Sequence, residues 1–176
     1  KDNEVLIRIE ATTVTAVDST FRQGASWSGR VYTGLKSPKR PVLGSTLAGE
    51  VEAVGKDVTL FKKGDQFFGA TADFGTHAEY ICLPEDGALA LKPASISYEE
   101  VVATNAVLTA LPFLRDEGHI QSGHKVLING ASGSVGSYAV QLAKQAGAAV
   151  TGVCSTKNLD MVQSIGADHV IWLNIS

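Results

Sequence analysis

The sequence HKVLINGASGSVGSYAVQLAKQAGAAVTGVCST, residues 124–156, decides the fold because its pattern changes in a fixed order. Val126–Asn129 is a short apolar run without polar alternation, which predicts a strand buried on both faces. Three glycines then follow at every third position, and apolar residues at helical spacing come after them. Ala149–Cys154 is a second apolar, β-branched run. This order of strand, glycine turn, helix and strand predicts a βαβ unit.

The glycine turn has the composition of a pyrophosphate site. A phosphate approaches backbone N–H groups closely only where no Cβ intervenes. The N-terminus of the following helix adds unpaired N–H groups and a partial positive charge. The strand before the turn and the helix after it favour dinucleotide binding over the alternative, a glycine-rich turn in an ordinary βαβ unit. The candidate cofactor-binding residues of the turn are Gly130, Ser132, Gly133, Ser134, Val135 and Gly136.

The end of the second strand bears on which dinucleotide binds. Proteins that select NAD usually place a carboxylate there for the ribose 2′-hydroxyl. This chain has Ser155, Thr156 and Lys157, and no carboxylate until Asp160. A charge-assisted hydrogen bond to a 2′-phosphate contributes about 1.5–3 kcal/mol, enough for roughly tenfold preference. We therefore expect NADP(H) at these three residues; the alternative is that Ser155 or Thr156 only caps the helix that starts near Asn158.

Composition excludes several classes of function. The chain has 176 residues, of which 44% are hydrophobic, and a net charge of −3 without a basic cluster, so a nucleic-acid partner is not expected. No apolar run reaches transmembrane length, so no membrane association is expected, and the polar start KDNEV does not resemble a signal peptide. Cys82 and Cys154 match no metal or redox spacing, which favours reduced thiols and a cytoplasmic location.

The first half of the chain predicts a β-rich domain. Short apolar stretches alternate with Gly, Pro and Asp turns, a pattern typical of a compact β-barrel-like fold. Asp18–Gly24 is expected to form a short turn or helical piece with Phe21 pointing inward. Ser97 and Glu100 form a predicted capping box that opens a helix, broken near Pro112. The predicted strands are Glu4–Glu10, Leu47–Val54, Val58–Phe61, Gln66–Ala70, Gly75–Leu83 and Ala88–Leu91.

Motifs spread over nearly the whole chain resemble one family. They are PVLGSTLAGEVEAVGKDVTLFKKGDQFFG (residues 41–69), GTHAEY (75–80), LTALPFL (108–114), QSGHKVLINGASGSVG (121–136) and GAAVTGVCSTKN (147–158). Together they are similar to medium-chain dehydrogenase/reductases, in the zinc-independent quinone oxidoreductase group of the alcohol dehydrogenase superfamily. The resemblance implies an α/β plus β fold: a GroES-like domain over residues 1–105, without its first hairpin, then a partial Rossmann doubly wound NADP-binding domain over residues 106–176.

The resemblance also implies an activity and residue roles. It implies NADPH-dependent reduction of a small-molecule quinone or α,β-unsaturated carbonyl by hydride transfer. Thr109 resembles the family threonine that approaches the nicotinamide carboxamide; the alternative is a hydroxyl that bonds back along its own helix. Tyr32 and Asp18 are candidate catalytic residues on the substrate side, and Tyr32 is equally consistent with a solvent-facing loop aromatic.

Departures from the family pattern matter as well. Zinc-dependent relatives have a cysteine where Thr15 stands and Gly-His-Glu where residues 44–46 read Gly-Ser-Thr, so no metal is expected. Quinone-reducing members often have an asparagine at Thr15 that polarises the substrate carbonyl, and its loss leaves open a non-catalytic NADPH-binding or interaction protein. Only about half of the family's Rossmann domain is expected, and if nothing follows Ser176 its open sheet edge predicts a homodimer or, alternatively, insolubility.

Overall fold

The computed structural model describes residues 1–24, 34 and 39–173, and these residues form two compact units, Lys1–Asn105 and Ala106–Ser176. Along the described chain no helix combines the length and the apolar composition needed to cross a bilayer. The strands are β1 (Glu4–Thr12), β2 (Thr46–Val54), β3 (Gln66–Ala70), β4 (Tyr80–Pro84), β5 (Ala88–Leu91), β6 (Lys125–Asn129), β7 (Ala149–Cys154) and β8 (His169–Trp172). The α-helices are α1 (Ala16–Gln23), α2 (Tyr98–Ala103), α3 (Val107–Pro112), α4 (Ser134–Gln145) and α5 (Leu159–Ser164).

The first unit is a curled antiparallel sheet in the order β4-β1-β2-β3-β5. Its core follows from alternation along β1, where Val5 and Ile7 are fully buried and pack with Leu47, Val51 and Phe67. The register between β1 and β2 shifts twice, after Leu6 and after Ile9. Such irregularities bend a strand and increase its twist, which curls the sheet around its apolar face.

Two of the predicted strands differ in the structure. Residues 58–61 form a loop, because the backbone N–H groups of Thr59 and Leu60 donate to Oε2 of Glu85 at 2.7 and 2.8 Å instead of to a neighbouring strand. The strand expected over residues 75–83 is confined to β4, because Gly75 has φ +104° and the N–H groups of Gly75 and His77 bond to the carbonyl of Leu43. In both regions the backbone N–H groups form hydrogen bonds outside the sheet instead of with a neighbouring strand.

Helix α1 also buries a different residue from the one expected. Phe21 was predicted to point inward, but its side chain is 37% exposed and its ring lies 4.9 Å from that of Phe74. Asp18 is the buried residue of α1 instead. A carboxylate tolerates this position because polar donors surround it.

The predicted capping box at the start of α2 is present in the structure. The Ser97 hydroxyl accepts from the Glu100 N–H at 3.1 Å, and the Glu100 carboxylate accepts from the Ser97 N–H at 2.8 Å. Val101 and Val102 of this helix are buried against Ala48 of β2. The helix therefore begins at a residue fixed by local hydrogen bonds and is held by packing on the sheet.

The second unit is a parallel sheet in the order β6-β7-β8. Helix α4 contributes Ala139, Val140 and Ala143 to its core, and Gly147, with φ +81°, follows its last turn. The prediction that β6 is buried on both faces is wrong, since Leu127 is 63% exposed. In the described chain β6 pairs only with β7 and is an edge strand, and the exposure of Leu127 shows that one face of β6 is largely uncovered.

Pro112 widens the helical segment rather than breaking it. The residues after it, Phe113–Glu117, form a π-helical turn, and the Gly118 N–H donates to the Phe113 carbonyl at 2.9 Å. A π turn adds a residue between donor and acceptor. The chain thus keeps a helical direction past the proline.

Candidate functional site

The glycine turn joins the end of β6 to the start of α4. Gly130 has φ +73°, a left-handed conformation that favours glycine, and its carbonyl accepts from the Gly133 N–H at 2.9 Å. The Ala131 N–H donates to the Val153 carbonyl at 2.9 Å and ties the turn to β7. Ala131 is fully buried, so the turn is anchored in the core while its glycines lie at the surface.

The three glycines differ in backbone conformation and in what a side chain would meet. Gly130 supplies the backbone conformation. A Cβ on Gly136 would overlap the Gly130 carbonyl oxygen, so α4 lies directly against the turn. A Cβ on Gly133 would meet only that same oxygen, at 3.2 Å, among the described residues. The space above Gly133 is therefore open to a ligand that a side chain would obstruct.

The first turn of α4 presents unpaired donors. Gly133 is the N-cap and has no side chain to accept from the helix, and the first helical hydrogen bond runs from the Ser137 N–H to the Gly133 carbonyl at 2.9 Å. Within the described chain, the N–H groups of Ser134, Val135 and Gly136 have no hydrogen-bond partner. The first turn carries no acidic residue. These features together suit an anion such as a pyrophosphate.

A side-chain bridge joins this turn to the one after β7. Asn158 donates from Nδ2 to the hydroxyl of Ser132 at 3.0 Å and to the hydroxyl of Ser155 at 3.1 Å. Ser155 stands at the N-cap of a 3₁₀ turn over Thr156–Asn158, yet its side chain makes no capping bond. Asn158 itself was not expected at the site, because its contacts depend on two turns that only the fold brings together.

The other predicted cofactor residues lie exposed in the same unit. Thr156 and Lys157 are exposed, and the Lys157 ammonium forms no ion pair or hydrogen bond with any described residue. Thr109 is exposed on α3, and its hydroxyl bonds to no described residue, unlike Thr104, which bonds back to the Val101 carbonyl at 2.6 Å. Ala110, next to Thr109, packs in the same core as the glycine turn.

Asp18, in the first unit, is 5% exposed, and both of its carboxylate oxygens accept hydrogen bonds. Its Oδ2 accepts from the Thr15 N–H at 2.7 Å and from the Thr15 hydroxyl at 2.8 Å, and its Oδ1 accepts from the Gly44 N–H at 3.0 Å. Burial raises the pKa of Asp18, but these hydrogen bonds and the nearby His77 outweigh it and hold the pKa below its ordinary value. The other candidate catalytic residue, Tyr32, lies outside the described residues.

A threonine network beside Asp18 was not predicted from the sequence. The Thr13 and Thr46 hydroxyls lie 2.5 Å apart, the Thr12 hydroxyl donates to the Thr46 carbonyl at 2.8 Å, and His77 Nε2 lies 3.0 Å from the Thr13 carbonyl. Thr46 and Thr76 are buried. Among the described residues no three His, Cys, Asp or Glu side chains are grouped as metal ligands. The signal was the run EATTVT, in which polar hydroxyls replace the apolar residues usual in a buried strand.

Comparison with known proteins identifies the first unit. The family model for the alcohol dehydrogenase GroES-like domain matches residues 1–93. A trans-enoyl reductase of Aspergillus terreus is 36% identical over 96% of this chain and 48% of its own length. A chloroplastic quinone-oxidoreductase homologue of Spinacia oleracea is 37% identical over 97% of this chain and 53% of its own length.

Solved structures extend the similarity through the second unit. The quinone oxidoreductase of Escherichia coli, crystallised with NADPH, superposes with a TM-score of 0.82 at 28% identity over 97% of this chain and 50% of that one. The chain therefore spans about half the length of the relatives that it matches. On these matches it belongs to the medium-chain dehydrogenase/reductase superfamily, with a GroES-like domain followed by part of a Rossmann fold.

Proposed function

We propose that the chain is the GroES-like and cofactor-binding part of an NADPH-dependent oxidoreductase that reduces a quinone or an α,β-unsaturated carbonyl. The single observation that carries the proposal is the donor-rich edge formed by the first turn of α4, Ser155 and Lys157. Relatives support it, since they include a trans-enoyl reductase, a quinone-oxidoreductase homologue and a mitochondrial NAD(P)H oxidoreductase.

The residues present fit the cofactor. The open space above Gly133 and the free N–H groups of Ser134, Val135 and Gly136 would hold the pyrophosphate. Ser155, Thr156 and Lys157 would hold the 2′-phosphate, and Thr109 would orient the nicotinamide amide. The bound cofactor would supply the hydride, so the part of this chain is binding and orientation.

The substrate side is proposed from the first unit. Asp18 and Tyr32 are the candidates there, and the contacts of Asp18 favour a positioning role, because both of its oxygens already accept hydrogen bonds. Reduction without zinc is part of the proposal, since Thr15, Ser45 and Thr46 offer neutral hydroxyls where zinc prefers thiolate, imidazole or carboxylate.

One observation favours a second candidate, a non-catalytic NADPH-binding protein. The Thr15 hydroxyl donates to Asp18 at 2.8 Å, so its hydrogen is not free to polarise a substrate carbonyl. Steady NADPH oxidation by the purified chain with a simple quinone or enone would reject this second function. Binding of NADPH with no turnover of either substrate class would favour it.

The proposal includes assembly and location. For residues 1–176 on their own, a homodimer is proposed, because β6 pairs on one side only in the described sheet. A cytoplasmic location is also proposed, although the relatives include chloroplastic and mitochondrial proteins. Fractionation of cells that express the tagged full-length protein would test the location.

Cofactor binding is tested by fluorescence titration of the chain with NADPH and, separately, with NADH. We expect NADPH to bind about tenfold or more tightly than NADH, and Lys157→Ala to reduce that ratio severalfold. Lys56→Ala is the matched control, because Lys56 is equally a surface lysine but pairs with Asp2 in the first unit. Unchanged NADPH affinity in Lys157→Ala would reject the 2′-phosphate assignment.

A further inference from the structure

Asn158 makes a pair of contacts that the proposed function does not require. Its side-chain nitrogen lies 3.0 Å from the Ser132 hydroxyl oxygen and 3.1 Å from the Ser155 hydroxyl oxygen. An amide nitrogen carries two hydrogens and no acceptor lone pair. Each hydrogen therefore goes to one serine, and both serine oxygens act as acceptors in this bridge.

The bridge fixes what the two hydroxyls can offer to a ligand. A hydroxyl has one hydrogen to donate and two lone pairs. Because Asn158 occupies a lone pair of each oxygen, the hydroxyl hydrogens of Ser132 and Ser155 stay available, and neither donates to an acceptor within the described residues. Both hydroxyls are partly buried, and both lie at the edge formed by the glycine turn and the turn after β7.

Among the described residues, this edge has no carboxylate to accept a hydrogen bond from a ribose hydroxyl. A site that selects NAD places a carboxylate there, which accepts from the 2′-hydroxyl. Here the described side chains include two donating hydroxyls, the exposed Thr156 and the Lys157 ammonium, which pairs with no described residue. Phosphate oxygens are acceptors only, so the polarity of this edge matches a phosphate better than a hydroxyl.

We propose that Asn158 is a positioning residue that sets the preference for a 2′-phosphorylated dinucleotide, by holding the Ser132 and Ser155 hydroxyls as outward hydrogen-bond donors. The inference rests on the proposed function and adds a determinant of cofactor choice. Asn158 acts through the two serines and needs no contact with the cofactor itself.

The proposal is tested by calorimetric titration of the full chain with adenosine 2′,5′-bisphosphate and with adenosine 5′-monophosphate, which differ only in the 2′-phosphate. Asn158→Ala frees the hydroxyls to rotate, and we expect about fivefold to tenfold weaker binding of the bisphosphate with less than twofold change for the monophosphate. Asn158→Asp reverses the polarity of the bridge, because a carboxylate accepts the hydroxyl hydrogens and adds negative charge. We expect this variant to weaken the bisphosphate by about thirtyfold or more.

Two controls separate hydroxyl orientation from charge and from folding. Gln163→Glu adds the same charge on the exposed side of α5 and should change the bisphosphate affinity less than threefold. In a Ser132→Ala, Ser155→Ala background, Asn158→Ala should have no further effect, since its partners are gone. Thermal unfolding of each variant identifies any that fails to fold, and the monophosphate affinity reports whether the site is intact.

Each outcome assigns the result. A loss in Asn158→Asp without any loss in Asn158→Ala would mean that charge alone acts, and would overturn the proposal. Equal losses for both nucleotides in Asn158→Ala would show a purely structural role and would also overturn it. If the unaltered chain bound neither NADPH nor the bisphosphate, the proposed function itself would fail. If it bound both and Asn158→Ala kept its preference, only this inference would fail.

Discussion

Asp18 is a buried carboxylate whose charge is stabilised by three donors, from Thr15 and Gly44. We expect Asp18→Asn to lower the free energy of unfolding by about 1.5–3 kcal/mol at pH 7, because the amide turns a donor toward a donor. Since the folded pKa lies below its ordinary value of about 3.9, this stability is present above that pH and is lost as the pH falls through the folded pKa. Urea unfolding at pH 7 and pH 3 measures both effects.

The matched control for Asp18 is Asp57→Asn. Asp57 is exposed, and its carboxylate makes no hydrogen bond with a described residue. We expect its substitution to change stability by less than about 0.5 kcal/mol at either pH. An Asp18→Asn deficit that was as large at pH 3 as at pH 7 would show that packing, rather than the charged hydrogen bonds, holds this residue.

At the residue scale, the sequence identified chemical types better than partners. Ser155 and Lys157 could be singled out because a hydroxyl and an ammonium stand where a carboxylate is common. Asn158 could not, because one of its serine partners, Ser132, lies 26 positions away and meets it only after β6 and β7 pair. The inward orientation of Phe21 was wrong for the same reason: a buried Asp18 depends on donors from the distant Gly44.

Among the elements, the glycine turn is expected to divide two roles between its residues, stability at Gly136 and ligand binding at Gly133. Gly136→Ala would place a methyl group against the Gly130 carbonyl, and we expect it to lower the free energy of unfolding by about 1–3 kcal/mol, because α4 must shift. Among the described residues a Cβ on Gly133 meets one atom, at 3.2 Å, so we expect Gly133→Ala to change stability by less than about 1 kcal/mol. Chemical denaturation of the two variants measures this difference.

Gly133→Ala is expected to affect ligand binding instead of stability. Gly133→Ala obstructs the open space above the turn, so the affinities for NADPH and for NADH should fall about equally. We expect each to fall by about tenfold or more, which corresponds to the loss of one charge-assisted hydrogen bond. A selective loss of NADPH alone in Gly133→Ala would place this glycine near the 2′-phosphate and contradict the pyrophosphate assignment. Fluorescence titration of the folded variant with each dinucleotide reads the result.

Element boundaries were predictable where local pattern and pairing agree. Strands β3, β5 and β7 have the bounds that the apolar runs indicated, and Ser97 and Glu100 start α2 through contacts within four residues. The loop at residues 58–61 reads as a strand in composition, but Glu85, from the turn before β5, satisfies its backbone donors. The Glu85 side chain, far along the chain, therefore determines the conformation of this loop, and no local sequence pattern indicates that contact.

For the whole molecule, composition and motif order predicted the two-part architecture, and the matched family confirms the fold class. The prediction that β6 is buried on both faces was wrong, and the composition of the strand could not have shown this. The run VLIN has the composition of a central strand, whereas in the described sheet it lies at the edge. The burial of a strand depends on what packs against its faces, whereas composition shows only that the strand is suited to being covered.

The free edge of β6 leads to a prediction about assembly. Leu127 is 63% exposed beside a groove of about 610 Å³ that Leu114, Ile120 and Val126 also line, and one edge of its strand pairs with no described strand. We expect residues 1–176 on their own to form a homodimer through β6 of each copy, with sedimentation showing a mass that rises with concentration. Leu127→Lys should shift the chain to monomer, because it places a charge at the shared edge.

Leu60→Lys is the control, since Leu60 is 64% exposed in the loop of the first unit and lies on no strand. A chain that stayed monomeric at every concentration, or a dimer that both substitutions weakened equally, would contradict pairing at this edge.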